Sequence, residues 1–177
     1  MRLKAERLFL RPLCGADVQA LFAYRSLPEV YRLQGWQPST ITEAANFIEE
    51  YALREGDIQV GQWHQLGICL GSGERLIGDC GFQLVTGSTA FIGYTISPFF
   101  QHMGYGYEAV STLVGYLFNE IGLHSIFART LPVNPASIRL LERMGFHRLD
   151  DAEKWISFPD AETDELIFCL KSSNGLA

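Results

Sequence analysis

The sequence predicts an α+β protein with a central mixed sheet flanked by helices. Two observations carry that expectation. Between Trp63 and Ile96, three apolar runs alternate with polar residues and are joined by short turns, the pattern of an antiparallel meander. Between Thr89 and Leu131, a strand, a long amphipathic helix and a second strand follow one another, the pattern of a crossover. The remaining helical stretches cluster before the meander and after the crossover, which argues against a doubly wound sheet.

Arg7-Leu8-Phe9-Leu10-Arg11 alternates as a first strand, interrupted by Pro12 and Gly15. Val18, Leu21 and Phe22 then share a helix face that ends before Pro28. Gln34 to Pro38 is a loop, and Thr40 with Glu43 forms a capping box. The helix it opens carries Ala44, Phe47, Ile48 and Tyr51 and ends near Gly56. Strands are expected at Trp63 to Leu70, Leu76 to Leu84 and Thr89 to Ile96, with turns at Gly71-Ser72-Gly73 and Thr86-Gly87-Ser88. On the third of these, Ala90, Ile92, Tyr94 and Ile96 share a face. Ala109, Val110, Leu113, Val114, Leu117, Phe118 and Ile121 form the clearest helical stripe, with Gly122 as its C-cap. A strand from Ile126 to Leu131 follows. Asn134-Pro135-Ala136-Ser137 opens a last helix with Ile138, Leu141 and Met144 inward and Gly145 as its stop. Two tail strands are expected, Lys154 to Phe158 and Glu165 to Leu170, before a frayed tail over 171–177.

A chain of 177 residues is read as one domain spanning 1–177. Its 47% hydrophobic and 19% charged residues are those of an ordinary globular protein. No stretch reaches the roughly 20 apolar residues of a membrane span. The N-terminus is too charged for a signal-peptide core, so the expectation is a cytoplasmic protein without a membrane partner. The net charge of −6 argues against nucleic acid. Cys14, Cys69, Cys80 and Cys169 are scattered without metal-ligand spacing, and no metal is expected.

Gln101-His102-Met103-Gly104-Tyr105-Gly106-Tyr107 lies between a strand and a helix. A helix N-terminus offers unpaired N–H groups and a positive dipole end, so it favours an anion. Glycines at 104 and 106 remove the side chains that would hold a phosphate away. Taken alone, G-x-G before a helix also occurs as plain packing or a turn. It is neither a Walker loop nor a dinucleotide fingerprint, because no Gly-Lys-Ser/Thr follows and Ala109 stands where a third glycine would.

The Gln101 to Gly106 stretch resembles the Q/R-x-x-G-x-G/A motif of the GNAT acetyltransferases. Ile92 to Pro98 looks like the strand before that motif, and Asn134 to Phe146 is similar to an "N-x-x-S…E-x-x-G-F" block of the RimJ/RimL-like branch. Arg7 to Leu13 with Asp17 resembles that branch's N-terminus. The resemblance covers about Arg7 to Leu170. It implies a sheet splayed after the fourth strand of the expected order, with acetyl-CoA as co-substrate in the gap. By position it implies backbone amides from Met103 through Gly104, Tyr105 and Gly106 to Tyr107 on the pyrophosphate, with Gln101 and His102 beside them. It places backbone groups of Ile96 and Ser97 on the pantetheine arm and thioester. Asn134 and Ser137 line the opposite wall and serve as the catalytic pair. Trp36 is in the loop on the acceptor side.

Acetyl transfer to an amine needs a deprotonated amine, a stabilised oxyanion and a hydrogen bond for the departing thiolate. Ser137 is the candidate for the last of these; its bland alternative is a helix-start residue satisfying backbone groups. No carboxylate lies between Thr89 and Phe100, so the base is open among Asp79, Glu108, water or an acceptor that arrives neutral. Asp79 would otherwise be a turn or edge residue, and Glu108 a first-turn charge on its helix. Cys80 as an acyl carrier and Arg139 and Arg143 as phosphate contacts are weighed against core packing and solvated helix charges. The expected function is N-acetyl transfer to a primary amine, with a protein N-terminus as leading acceptor. The alternatives are a small-molecule amine (polyamine, amino acid or antibiotic) and a non-catalytic acyl-CoA-binding module. Apolar strands leave room for a homodimer.

Overall fold

The computed structural model describes residues 1–52, 58–71, 74–151 and 164–172. The expected helix end at Gly56, the turn residues Ser72 and Gly73, the strand Lys154 to Phe158 and the end of the tail lie outside these residues. The described strands are β1 (Leu3–Lys4), β2 (Leu8–Pro12), β3 (Trp63–Leu70), β4 (Arg75–Thr86), β5 (Thr89–Ile96), β6 (Ser125–Thr130), β7 (His147–Arg148) and β8 (Leu166–Lys171). They form one sheet in the order β1-β2-β3-β4-β5-β6-β8-β7. Every pairing between these strands is antiparallel except β5 with β6. The meander is β3-β4-β5, as the alternation predicts.

The helices are α1 (Val18–Arg25), α2 (Pro28–Tyr31), α3 (Ile41–Tyr51), α4 (Tyr105–Asn119) and α5 (Pro135–Arg143). The Thr40 hydroxyl accepts the Glu43 amide at 3.2 Å and Glu43 reaches back to the Ser39 amide at 2.7 Å, so α3 starts where the capping box places it. α1 ends at Arg25, before Pro28 as expected, and Pro28 opens a further short helix. It occupies the first turn of α2, where its missing N–H is not needed. The two-residue strands β1 and β7 carry no periodic signal of their own; pairing with β2 and β8 defines them.

Two apolar clusters sandwich the sheet. On one face, Val110, Leu113 and Leu117 of α4 and Leu141 of α5 pack on Leu10, Leu66, Phe82 and Ile126. On the other, Leu21 of α1 and Ala44 and Ile48 of α3 cover Phe9, Cys69 and Leu76. Leu10 and Phe9 are sequence neighbours that serve opposite clusters, because strand side chains alternate faces. Covered on both sides, β3 is buried almost along its length. No described helix is long and apolar enough to cross a membrane.

Candidate active site

β5 pairs with β6 from Thr89–Ser125 to Ile92–Ala128 and no further, although the strands run on to Ile96 and Thr130. The sheet therefore opens beyond Ile92. On its other edge β5 stays paired with β4 as far as Ile96, and the Ser97 amide donates to the Ile77 carbonyl at 2.8 Å. Backbone polar groups alternate edges along a strand, so those of Tyr94 and Ile96 face the opening. Gln101 Nε2 donates to the Ile96 carbonyl at 2.9 Å, and Gln34 Nε2 approaches the Tyr94 carbonyl at 3.4 Å. Of the backbone groups of Ile96 and Ser97 expected on the pantetheine arm, the Ser97 amide is bonded to β4.

After a short 3-10 turn at Pro98–Phe100, the chain reaches the glycine loop. Gly104 has φ +81° and is the N-cap of α4; no side chain caps the helix. The first intrahelical bond runs from the Glu108 amide to the Gly104 carbonyl at 3.1 Å, which leaves the amides of Tyr105, Gly106 and Tyr107 without an intrahelical acceptor. The two glycines have different physical reasons. Gly104 holds a left-handed conformation costly for other residues. Gly106 permits close approach, because a Cβ there would lie 3.1 Å from Leu140 Cδ1 and 3.6 Å from Ile96 Cγ1.

Glu108 does not cap the helix. Its carboxylate accepts the Arg7 amide at 2.6 Å and the Arg7 Nε at 2.8 Å. Arg7 also donates to the Met103 carbonyl at 2.9 Å and lies over the Tyr105 ring. The N-terminal segment thus ties the glycine loop from behind. Burial pushes the Glu108 carboxyl upward, but the Arg7 hydrogen bonds and charge outweigh it and hold the pKa below the usual value. Glu108 is a charged brace, not a poised base.

The opened edge, the glycine loop and α5 enclose a cavity of about 510 Å³. Ile96, Gln101, His102, Gly104, Gly106, Tyr107, Asn134 and Ser137 of the sequence-derived set line it; Ser97, Met103, Tyr105 and Trp36 do not. Asn134 caps α5, its side-chain oxygen accepting the Ser137 amide at 3.2 Å. That bond positions Ser137, whose hydroxyl pairs with the Tyr94 hydroxyl at 2.9 Å. Burial pushes the Tyr94 hydroxyl up to about 12, against a smaller lowering by Ser137, so it stays protonated at neutral pH.

Tyr94, Thr95 and Glu29 are cavity residues that sequence reasoning did not select. Alternation places Tyr94 beside Ile96, but only the docking of α5 brings it to Ser137. Thr95 points to the other face of β5, and its hydroxyl is buried with no hydrogen-bond partner. Among the described lining residues Glu29 is the only carboxylate, and Arg139 and Arg143 are also in the lining. Its signal is Leu27-Pro28-Glu29, where the proline that follows the end of α1 opens the first turn of α2.

The other base candidate is also displaced. Asp79 lies on central β4, opposite Thr95, and is fully buried. Tyr24, Arg25 and Gln65 all donate to its carboxylate, which makes it a structural node outside the cavity lining. Cys80 is fully buried beside it and burial pushes its thiol well up, which removes the acyl-carrier reading. Trp36 stacks on Phe47 at 4.1 Å and borders a separate cavity. Among the described residues, no three His, Cys, Asp or Glu side chains cluster as a metal site.

Known proteins share this architecture. The acetyltransferase (GNAT) domain matches residues 7–147. A probable N-acetyltransferase of Bacillus subtilis, YjcK, is 30% identical over 95% of this chain and 96% of its own. The ribosomal protein uS5-alanine N-acetyltransferase of Escherichia coli is 25% identical, covering 96% of this chain and 90% of that protein. The crystal structure of a GNAT-family acetyltransferase from Bacillus anthracis superposes with a TM-score of 0.80 at 27% identity, over 97% of this chain and 98% of that one.

Proposed function

The chain belongs to the acetyltransferase (GNAT) domain family, and from that premise we propose that it moves the acetyl group of acetyl-CoA to a protein N-terminal amine by direct attack in a ternary complex. The observation that carries this reading is that the uncapped start of α4 and the opened edge of β5 border one cavity. The amides of Tyr105, Gly106 and Tyr107 receive the pyrophosphate, and Arg139 and Arg143 add positive potential. The backbone of Tyr94 and Ile96 holds the pantetheine arm, and a backbone N–H there stabilises the developing oxyanion. Acetyl-CoA supplies an activated thioester.

The Ser137–Tyr94 hydroxyl pair meets the departing sulfur. A thiol has a pKa of about 8.5, whereas the Tyr94 hydroxyl sits at about 12, so full proton transfer to the thiolate is uphill by roughly 5 kcal/mol. The pair therefore donates a hydrogen bond, and the thiolate takes its proton from solvent. Glu29 attracts the incoming ammonium, which loses one proton to water before attack, and the nitrogen loses a second to water as the tetrahedral intermediate collapses to the amide. The protein N-terminus as acceptor is supported by the printed activity of the Escherichia coli relative.

The direct test is release of free thiol from acetyl-CoA against N-terminal peptides, polyamines, amino acids and aminoglycosides. Turnover with peptides alone supports the reading. Turnover with small amines alone moves the acceptor class. Absence of acetyl-CoA binding by calorimetry removes the reading altogether.

Two variants probe the two sides of the cavity. Gly104→Ala places a Cβ 3.2 Å from the Arg7 guanidinium on a residue with φ +81°. The free loop relaxes about 1–2 kcal/mol of strain by leaving this conformation, and acetyl-CoA must restore it on binding, so its affinity falls roughly tenfold in calorimetry. Glu29→Gln removes an exposed charge worth under about 1 kcal/mol, so KM for the acceptor rises roughly two- to fivefold while acetyl-CoA affinity holds. An unchanged acceptor KM takes Glu29 out of acceptor recognition.

A further inference from the structure

A second cavity, of about 460 Å³, lies between α3 and the sheet. Its walls include the rings of Trp36, Phe47, Tyr51 and Trp63, with the carboxylates of Glu43 and Glu50. All four rings are half-buried, and among the described residues no Lys, Arg or His lines the space. Trp36 and Phe47 stack at 4.1 Å, and Tyr51 tilts against Phe47 at 5.1 Å. The Arg25 guanidinium, 5.8 Å from the Trp36 ring centroid, is the nearby cation, and it is paired with buried Asp79.

These walls are held in place. The Trp63 indole donates to Gln65, which in turn donates to Asp79. Glu43 is fixed by the Ser39 amide, and Tyr51 is held against the Phe47 ring. Aromatic faces and carboxylates both attract a cation with an apolar sheath. The cavity also adjoins the reaction cavity at two points. Trp36 is two residues from Gln34, which lines the reaction cavity. The Trp63 ring lies so close to Gly93, next to Tyr94, that a Cβ at Gly93 would stand 3.2 Å from it.

We propose that this aromatic, acidic cavity binds an alkylammonium group of the acceptor, a second cationic group beyond the amine that is acetylated. The proposal rests on the acetyltransferase reading for assigning the cation to the acceptor. Such a group is a lysine side chain near a peptide N-terminus or the far amine of a polyamine.

Choline is the first probe, because it carries no N–H to acetylate, and its neutral isostere 3,3-dimethylbutan-1-ol is the control. Tryptophan emission and calorimetry follow each titration, with acetyl-CoA titrated in parallel. The expected result is saturable choline binding at least tenfold tighter than the alcohol. That binding is lost in Trp36→Ala and weakened at least tenfold in Glu43→Gln/Glu50→Gln, with acetyl-CoA affinity kept in both. Equal binding of alcohol and choline, or choline binding unaffected by both variants, overturns the site. No choline binding beside normal acetyl-CoA binding overturns the site and leaves the acetyltransferase reading standing; loss of acetyl-CoA binding alone overturns that reading instead. Displacement of bound choline by the dipeptide Ala-Lys, but not by 1,4-diaminobutane, places the cation on a peptide, and the reverse places it on a polyamine. Displacement by neither overturns the acceptor assignment.

Discussion

Asp79→Ala is expected to destabilise the protein by about 3–5 kcal/mol, because it strands a buried cation. The Arg25 side chain is 8% exposed and Asp79 is 0% exposed, so neither charge has water to fall back on. Tyr24 and Gln65 also lose their common acceptor. Single domains are stable by only about 5–15 kcal/mol, so the loss is a large share of the total. For this chain length it lowers the thermal midpoint by roughly 6–20 °C. The double variant Arg25→Met/Asp79→Leu separates charge from packing. It is expected to recover much of the loss, since apolar replacement of a buried pair is often neutral or better. A loss below about 1 kcal/mol in Asp79→Ala would show that the network does not hold α1 to the sheet.

The second large effect is on turnover. Ser137→Ala and Tyr94→Phe each remove a hydroxyl from the 2.9 Å pair. A hydrogen bond to a developing anion is worth about 1.5–3 kcal/mol, so kcat should fall roughly 10- to 100-fold in each. Acetyl-CoA affinity is expected to hold, since the pyrophosphate amides are untouched. The double variant should cost little more than either single one, because the hydroxyls act as a unit. The pH profile adds an independent check. The Tyr94 hydroxyl is held up at about 12, so no falling limb should appear until pH approaches that value. A rising limb should follow deprotonation of the acceptor amine. Full activity in both single variants would remove the pair from the mechanism.

The same buried groups explain where sequence reasoning stopped. Asp79 reads as an edge or turn residue, because a lone acid in an apolar strand usually needs water. Its partners come from α1 and β3, at separations of 55, 54 and 14 residues, and no periodicity connects them. Glu108 reads as a helix-start charge, yet Arg7, 101 residues away, takes its carboxylate. Trp36 has no periodic neighbours; the stacking of Phe47 from α3 assigns it to the second cavity.

Periodicity, caps and glycines are local signals, and what they encode is legible in the sequence by itself. They yielded the meander, the crossover, the starts of α3 and α5 and the glycine loop ahead of α4. The loop and the Asn134 to Phe146 block also pointed to the family. Contacts between distant segments have no such local signal. The end of β5–β6 pairing at Ile92, the Tyr94–Ser137 pair, the entry of Glu29 and the diversion of the Ser97 amide to Ile77 all depend on how separate elements dock. An amide or hydroxyl is available for chemistry only when no neighbour has already taken it, and that is settled by packing across the whole chain.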